Sequence, residues 1–440
     1  MRLLYTLLLS GFLGIASAQM NKIDFVEYEL DNGLHVILHQ DASTPIVAVS
    51  IMYHVGSKNE KPDKTGFAHF FEHLLFEGSE NIERGEYDKY IEKAGGTLNA
   101  NTSYDRTYYY EILPSNQLEL GLWLESERLL HAKVEDKGIE TQREVVKEER
   151  RQRIDNQPYG TILQETMIRL FKEHPYKWPI IGYMEHLNAA EEADYKNFYK
   201  DFYVPNNAVL SIAGDLDIEQ TKEWIEKYYG SIPRGTKEIY RPNVVEPPMT
   251  GEIRDTIFDN IQLPAIIQAY RIPAQGTEEF YAVDMLSTLL SRGGSSRLQK
   301  AIVEDQQKAI QVGSFPLALE DYSVSLAFAF CNMGIDPSEV EKSIDAEVDR
   351  VKNELISDEE FQKLRNQIEN DFVSSNSRVA GIAESLANYH MYFGDANLIN
   401  TEIDRYLAVT KEDIRDAAKK YLKSDKRVVL YYLPKQGETP

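Results

Sequence analysis

Apolar and polar residues alternate in short blocks along both halves of the chain, and these blocks predict an α+β protein. Residues 25–40 read as a hairpin, because alternating positions flank an Asp-Asn-Gly turn at 31–33 that suits a tight reversal. Residues 45–54 are almost all apolar, which indicates a strand buried on both faces. Residues 97–113, rich in Thr and Tyr, predict one long strand or a strand pair.

The two halves of the chain have a similar order of predicted elements. In the first half, helices are predicted near 84–93, 116–131, 136–155, 161–171, 190–202 and 217–230, with an apolar strand before the last of them. In the second half, the predicted elements are strands (253–272), a helix (278–290), a further helix, a strand (324–330), helices to about Lys423 and a last strand (427–433). We interpret this order as two structurally similar α/β-roll repeats of about 200 residues, each an antiparallel-rich sheet with helices packed on one face.

Three boundaries follow from composition. Residues 1–18 resemble a secretory signal, with Arg2, a short apolar run and an Ala-Ser-Ala cleavage site. Four prolines mark residues 233–250 as a linker. The predicted domains are therefore 19–232 and 251–440, in an exported protein that is most simply periplasmic, with an extracellular location as the alternative.

Charge and cysteine content exclude several classes of protein. The net charge of −23 argues against nucleic acid, whose phosphates require a basic surface. No stretch after the signal approaches the twenty apolar residues of a membrane span. Cys331 is the only cysteine, so no intramolecular disulfide forms and the fold depends on its apolar core.

The residues with the clearest chemistry are His69, Glu72 and His73, which form an H-x-x-E-H motif. On a helix the two histidines lie about 40° apart and one turn from each other, so both imidazoles can reach one small cation. Glu72 flanks the pair, where it can act as general base for a zinc-activated water. The alternative is a buried structural histidine pair, since the same helix is rich in Phe and Leu.

Two further stretches extend this hypothesis. A third ligand from a carboxylate on a neighbouring helix would complete a zinc site, and periodicity leaves Glu144, Glu148 and Glu149 open. Asn99 and Ala100 belong to a strand of small residues, whose backbone is approachable by an extended peptide. A plain exposed edge strand is the other interpretation.

The chain resembles the pitrilysin/insulinase family of zinc peptidases, in the half-length branch that includes mitochondrial processing peptidase β-like and bacterial homologues. The resemblance rests on motifs that span nearly the whole chain in order. They are G-S-x-x-E from Gly56, T-G-F-A-H-F-F-E-H-L-L-F-E-G-S, G-G-T-L-N-A-N-T-S, E-V-V-K-E-E-R, V-P-N-N-A-V-L-S-I-A-G-D-L and S-S-R-L.

The resemblance implies roles for individual residues. His69 and His73 look like zinc ligands, Glu72 like the base, and the E-V-V-x-E-E pattern selects Glu149 as the third ligand of one Zn²⁺ per chain. Asn99 and Ala100 match the edge strand that pairs with the substrate backbone, and Arg297 matches the arginine of S-S-R-L. The family also implies that two chains close like a clamshell around a chamber for short or unfolded peptides.

Two positions depart from the family pattern. Gln142 stands where the family often has a supporting glutamate, and Ile310 stands where it usually has the tyrosine that helps an arginine hold the substrate carbonyl. Some half-length members divide the zinc and this Arg/Tyr pair between the two chains of a heterodimer. The departures favour such a heterodimer over a homodimer.

The predicted function is therefore a zinc-dependent endopeptidase. A non-catalytic peptide-binding or scaffold subunit of a heterodimeric peptidase is the alternative from a different class. A metal hydrolase acting on another bond is the third, and the predicted peptide-pairing strand argues against it.

Overall fold

The computed structural model describes residues 22–435, so the predicted signal sequence lies outside the described residues. The strands are Val26–Glu29 (β1), His35–Gln40 (β2), Ile46–Tyr53 (β3), Thr97–Thr102 (β4), Thr107–Pro114 (β5), Ala208–Gly214 (β6), Ile253–Asp259 (β7), Ala265–Ile272 (β8), Ala309–Leu317 (β9), Ser323–Cys331 (β10) and Val428–Pro434 (β11).

The helices of the first half are Phe67–Leu74 (α1), Tyr87–Lys93 (α2), Leu118–Leu130 (α3), Asp136–Arg150 (α4), Ile162–Leu170 (α5), Met184–Ala189 (α6), Glu192–Phe202 (α7) and Ile218–Tyr229 (α8). Those of the second half are Glu278–Ser291 (α9), Pro337–Asn353 (α10), Asp358–Ser375 (α11), Val379–Phe393 (α12), Leu398–Ala408 (α13) and Lys411–Tyr421 (α14). Short π-helical turns follow α4 and precede β9.

The strands form two sheets with the same internal order. The first runs β1-β2-β6-β3-β5-β4 and the second β7-β11-β8-β10-β9. Every pairing is antiparallel except β2 with β6 and β7 with β11, which occupy equivalent places. The α+β prediction of two antiparallel-rich repeats is thus confirmed, and β1 is the strand without a counterpart in the second sheet.

Most predicted elements are present, and one strand was missed. Of the two interpretations of the Thr- and Tyr-rich segment, the strand pair is the one observed, as β4 and β5. Strand β9 is absent from the prediction, because its sequence A-I-Q-V-G-S-F-P-L has a glycine and a proline that interrupt any alternation. Proline is tolerated there because β9 is an edge strand.

Each sheet is covered on both faces. On the first sheet, one face packs on helices of its own half, as predicted, in a core that includes Val49, Phe71 and Leu122. The other face packs on α12 of the second half, where Met52 and Leu386 share one apolar cluster. The second sheet likewise packs on α5 of the first half. The two halves therefore bury apolar surface against each other, and this burial stabilises both.

A polar cluster joins the halves next to these apolar contacts. Lys58 is 2% exposed and its ammonium lies 3.0 Å from Asp105, 2.6 Å from Glu320 and 3.1 Å from Asp321. Glu320 and Asp321 lie on the turn between β9 and β10 of the second half. Burial opposes ionisation of Glu320, but His54 and Lys58 outweigh it and lower its pKa to about 2. Removing Lys58 would leave these carboxylates without their buried partner, which is costly.

The connection between the halves has no helix or strand between α8 and β7 among the described residues. It is nevertheless fixed, because the buried carboxylate of Glu246 accepts the backbone N–H groups of Lys172, Glu173 and His174 at 2.8–2.9 Å. Within residues 22–435, no helix combines the length and apolar character that crossing a membrane requires.

Candidate active site

The central element of the site is α1, which carries His69, Glu72 and His73. Its apolar residues Phe67, Phe70, Phe71 and Leu74 are all buried in the first core. This leaves the two histidines on the opposite side, with ring centroids 4.9 Å apart. The helical spacing predicted from the sequence is therefore observed.

Buried charged residues fix both ends of α1. At its start the two carboxylate oxygens of Glu60 accept the backbone N–H groups of Gly66 and Ala68, at 2.7 and 2.8 Å. Just beyond its end the guanidinium of Arg128, which pairs with Glu125, donates to the backbone oxygen of Leu75 at 2.9 Å. These contacts satisfy backbone groups that a helix terminus leaves unpaired.

Asp63 and Thr65 are the polar residues that a local capping rule favours at the start of this helix, and neither caps it. Gly66 is the capping residue, in a left-handed conformation with φ of 91°, and Glu60 supplies the acceptor from outside the first turn. A side chain at position 66 would meet the backbone of Ile181 and Gly182 at under 3 Å. Thr65 is instead engaged with His186 and with the backbone N–H of Tyr183.

Helix α4 places Glu149 against the two histidines. Its Oε2 lies 3.5 Å from His69 Nε2 and 3.1 Å from His73 Nε2. The two other carboxylates that the sequence left open point to solvent, where Glu144 pairs with Lys147 and Glu148 with Arg151. Of the three, only Glu149 joins the histidines.

The donor set of this cluster fits a zinc ion. Glu149 Oε2 and His69 Nδ1 are buried and accept or donate no hydrogen bond of good geometry among the described residues. Burial, with the neighbouring His73, lowers the pKa of His69 to about 4, so its imidazole is neutral and has a free lone pair. Burial raises the pKa of Glu149, but its contacts with His73, His69 and Arg153 outweigh this and lower it. Two neutral imidazoles and one carboxylate are a common zinc ligand set.

Glu72 stands beside the cluster without joining it. Its Oε2 accepts a hydrogen bond from the hydroxyl of Thr102, on β4, at 2.7 Å. Burial raises the pKa of Glu72, which makes the carboxylate a better proton acceptor than an exposed one. Thr102 was not predicted from the sequence, although its alternation with Ala100 and Leu98 places it on the side of β4 that faces α1.

Strand β4 forms the outer edge of the first sheet and lines the site with Asn99 and Ala100. Its only strand partner among the described residues is β5. The side chain of Asn99 accepts the backbone N–H of Ala100 at 2.8 Å. An extended peptide that pairs with this edge would have to displace that side chain.

These residues line one cleft of about 670 Å³. One wall carries the cluster and Glu72, and β4 forms another. The third wall is apolar, with Ile154, Leu163, Ile180 and Ile181. Arg153, which pairs with Glu149 at 2.8 Å, is the one lysine or arginine among the described residues that line the cleft. It was not predicted from the sequence, although its position four residues after Glu149 on a helix indicates that the two side chains can pair.

Arg297 lies elsewhere, in a different cleft of the second half. Its guanidinium is held by both oxygens of Glu360, at 2.9 and 3.0 Å. Ile310, at the position of the family tyrosine, is 56% exposed on β9. Gln142 donates to Glu77 Oε1 at 2.5 Å, so a carboxylate is still present next to position 142.

Comparisons with known proteins identify the class. Residues 35–182 match the family described as Insulinase (Peptidase family M16), and residues 190–368 match Peptidase M16 inactive domain. The zinc protease PqqE of Helicobacter pylori is 30% identical over 92% of this chain and 92% of its own length. The chain therefore belongs to the M16 insulinase family of zinc proteases, which confirms the resemblance read from its motifs.

Further relatives and solved structures are similar over most of the chain. An uncharacterized zinc protease of Mycobacterium leprae is 27% identical over 89% of this chain and 88% of its own. The crystal structure of a protease from Helicobacter pylori matches with a TM-score of 0.90 and 30% identity, over 94% of this chain and all of the other. The first half of the periplasmic protease PqqL from Escherichia coli shares the fold, with a TM-score of 0.76 and 20% identity over 94% and 92% of the two chains. This chain covers 48% of full-length PqqL.

The role of Glu60 in fixing α1 can be tested by substitution. Glu60→Gln keeps the size of the side chain but turns an amide N–H₂ toward one of the two backbone donors. We expect a loss of about 1–3 kcal/mol of stability and weaker zinc binding, because a buried N–H loses its acceptor. Thermal unfolding and zinc titration measure the two effects.

Glu83→Gln is the matched control, since Glu83 is exposed on the loop after α1. It should change neither quantity. Unchanged zinc affinity in Glu60→Gln would contradict the claim that this contact sets the position of the histidines.

Proposed function

We propose that the protein is a zinc-dependent endopeptidase that hydrolyses peptide bonds of short or unfolded peptides. The observation that carries this proposal is the meeting of three elements in one cleft. Helix α1 supplies two histidines and a carboxylate, α4 supplies Glu149, and the edge strand β4 runs alongside. Residues 19–232 would then be the catalytic domain and residues 251–440 a non-catalytic repeat, joined by the linker at 233–250.

His69, His73 and Glu149 would hold the metal. Zinc bound by these residues supplies a Lewis acid that polarises the scissile carbonyl and lowers the pKa of water. With two neutral ligands and one carboxylate, the net charge at the site would be near +1, which favours both effects.

Glu72 would move the proton. Thr102 occupies its Oε2 and holds the carboxylate in place, so Oε1 is the atom that accepts a proton from the attacking water. Returning that proton to the amine of the leaving fragment completes hydrolysis without any other titratable group. The raised pKa of Glu72 brings it closer to the operating range of a general base.

The peptide would add to β4 as a further antiparallel or parallel strand. Main-chain hydrogen bonds to the open edge of the segment that includes Asn99 and Ala100 would fix such a peptide without reading its sequence. An extended conformation is available to short and unfolded chains, whereas a folded protein rarely presents one. Specificity would then come from the apolar wall and from Arg153.

Arg297 would act at the zinc site of another chain. It lines no part of the cleft that contains His69 in its own chain, and the resemblance to dimeric family members motivates an arrangement in trans. A homodimer would use Arg297 without the tyrosine, and a heterodimer would take both groups from a second family member. An exported, periplasmic location is consistent with residues 1–18 and with the periplasmic location of the PqqL protease.

The alternative function is a non-catalytic peptide-binding or scaffold subunit. Two observations favour it: the second half matches a domain described as inactive, and Glu360 holds Arg297 in an ion pair. Turnover by the isolated chain separates the two functions.

The mechanism predicts a specific effect of Glu72→Gln. Zinc content should stay at the wild-type level because the ligands are intact, while peptide turnover falls by about 10²–10⁴-fold with loss of the base. Metal analysis and hydrolysis of quenched fluorescent peptides measure both.

Glu148→Gln is the control, because Glu148 is 54% exposed on α4 next to the ligand Glu149. It should leave zinc and turnover unchanged, while Glu149→Gln should lose zinc. Wild-type cleavage by Glu72→Gln would rule out this mechanism.

If the active form is the homodimer, the arrangement in trans predicts complementation. Arg297→Ala and Glu72→Gln chains should each be inactive as homodimers, since each lacks one of the two groups at every site. Unfolding and refolding the two together should restore about a quarter of the wild-type activity, because half of the dimers are mixed and each has one complete site.

Lys300→Ala is the control, because it removes another basic side chain from the cleft that contains Arg297. This variant should be active without a second chain type. Full activity of Arg297→Ala alone, or no recovery on mixing, would show that Arg297 does not serve the site of a partner chain.

A further inference from the structure

A second group of metal-binding side chains lies where the two halves meet, away from the cleft. Glu27 is on β1, His35 begins β2, and His390 is near the end of α12. His35 Nε2 lies 3.1 Å from Glu27 Oε2, and His390 Nδ1 lies 3.9 Å from the same oxygen. One donor atom from each residue falls within 4.8 Å of the others, as at the first cluster.

One donor atom of this group lacks a partner. The Nδ1 of His390 is buried and has no hydrogen-bond partner among residues 22–435. A buried nitrogen without a partner costs free energy, and a bound cation would remove that cost.

An ordinary surface ion pair does not explain this arrangement. His131 and Glu80 form such a pair at the same distance of 3.1 Å, but among residues 22–435 this pair is not part of a group of three possible metal ligands. At the Glu27 cluster, His390 instead stacks on His35, with centroids 3.3 Å apart and planes 8° from parallel.

We propose that Glu27, His35 and His390 form a second site for a divalent transition-metal ion such as zinc. Two imidazoles and one carboxylate suit zinc, cobalt or nickel, and disfavour calcium and magnesium, which prefer oxygen ligands. Because stacked rings direct their lone pairs nearly parallel, binding would turn one ring about its Cβ–Cγ bond. His390 has no hydrogen bond at Nδ1 to lose in that rotation.

Such an ion would connect the two halves. Glu27 and His35 belong to the first sheet, and α12 covers the face of that sheet that its own helices leave open. A metal at this point would tie α12 to the edge formed by β1 and β2. The site uses none of the residues of the proposed peptidase centre, so a test of the second site does not depend on the proposed function.

Zinc stoichiometry tests the proposal. The metal-free protein is dialysed against buffered zinc and its zinc content is measured by mass spectrometry. We expect two ions in the wild type, one in His73→Ala, one in His390→Ala and none in the double variant. His131→Ala should keep two zinc ions, because His131 belongs to an ordinary ion pair with Glu80.

Stability provides a second measurement that does not depend on turnover. In the His73→Ala background, zinc should raise the melting temperature by at least about 2 °C, because only the second site remains. Adding Glu27→Gln, at a position 42% exposed that tolerates change, should abolish that rise. One zinc ion in the wild type, or equal zinc content in His73→Ala and His73→Ala/His390→Ala, would overturn the proposal.

Discussion

The position of α1 is the constraint on which the candidate active site depends. His69 and His73 meet Glu149 only if this eight-residue helix starts at a fixed point and keeps a fixed rotation. A helix so short is not stable by itself in water, so its neighbours must hold it. Glu60 binds the backbone at its start, Arg128 binds the backbone just past its end, and four apolar side chains hold the face between them. The polar contacts set where the helix lies, and the apolar ones make it stable.

The same dependence extends to the two halves. Neither sheet has a complete core without the other half, since α12 covers the first sheet and α5 covers the second. The Lys58 cluster adds a polar contact that tolerates little displacement, because a buried ammonium needs its carboxylates at hydrogen-bonding distance. The second half therefore supports the sheet behind the His69, His73 and Glu149 cluster, even though the described residues that line the cleft all belong to the first half.

The parts of the site that local patterns encode could be predicted from the sequence. The H-x-x-E-H spacing places two histidines on one helix face, and the Asn-Gly turn and the apolar runs predict strands of the sheet on which that helix packs. Family resemblance, not periodicity, selected Glu149 over Glu144 and Glu148, because all three lie on one helix and only tertiary packing separates them.

What the sequence did not reveal depends on contacts between distant segments. Glu60 accepts the backbone N–H of Gly66, the capping residue six positions later, in place of the Asp63 or Thr65 that a local capping rule favours. Thr102 becomes important only when β4 lies beside α1, and the ion pair of Arg297 with Glu360 joins residues 63 positions apart. Strand β9 was missed for the opposite reason, since its local sequence argues against a strand and its place at the edge of a sheet permits one.

The most direct test of the account is hydrolysis of a mixed library of quenched peptides by the purified mature chain, with zinc content and native mass recorded on the same sample. The account predicts cleavage at internal peptide bonds that a chelator abolishes and added zinc restores. A homogeneous, zinc-loaded chain that cleaves none of the peptides would contradict it, and would favour a peptide-binding or scaffold subunit that depends on a catalytic partner.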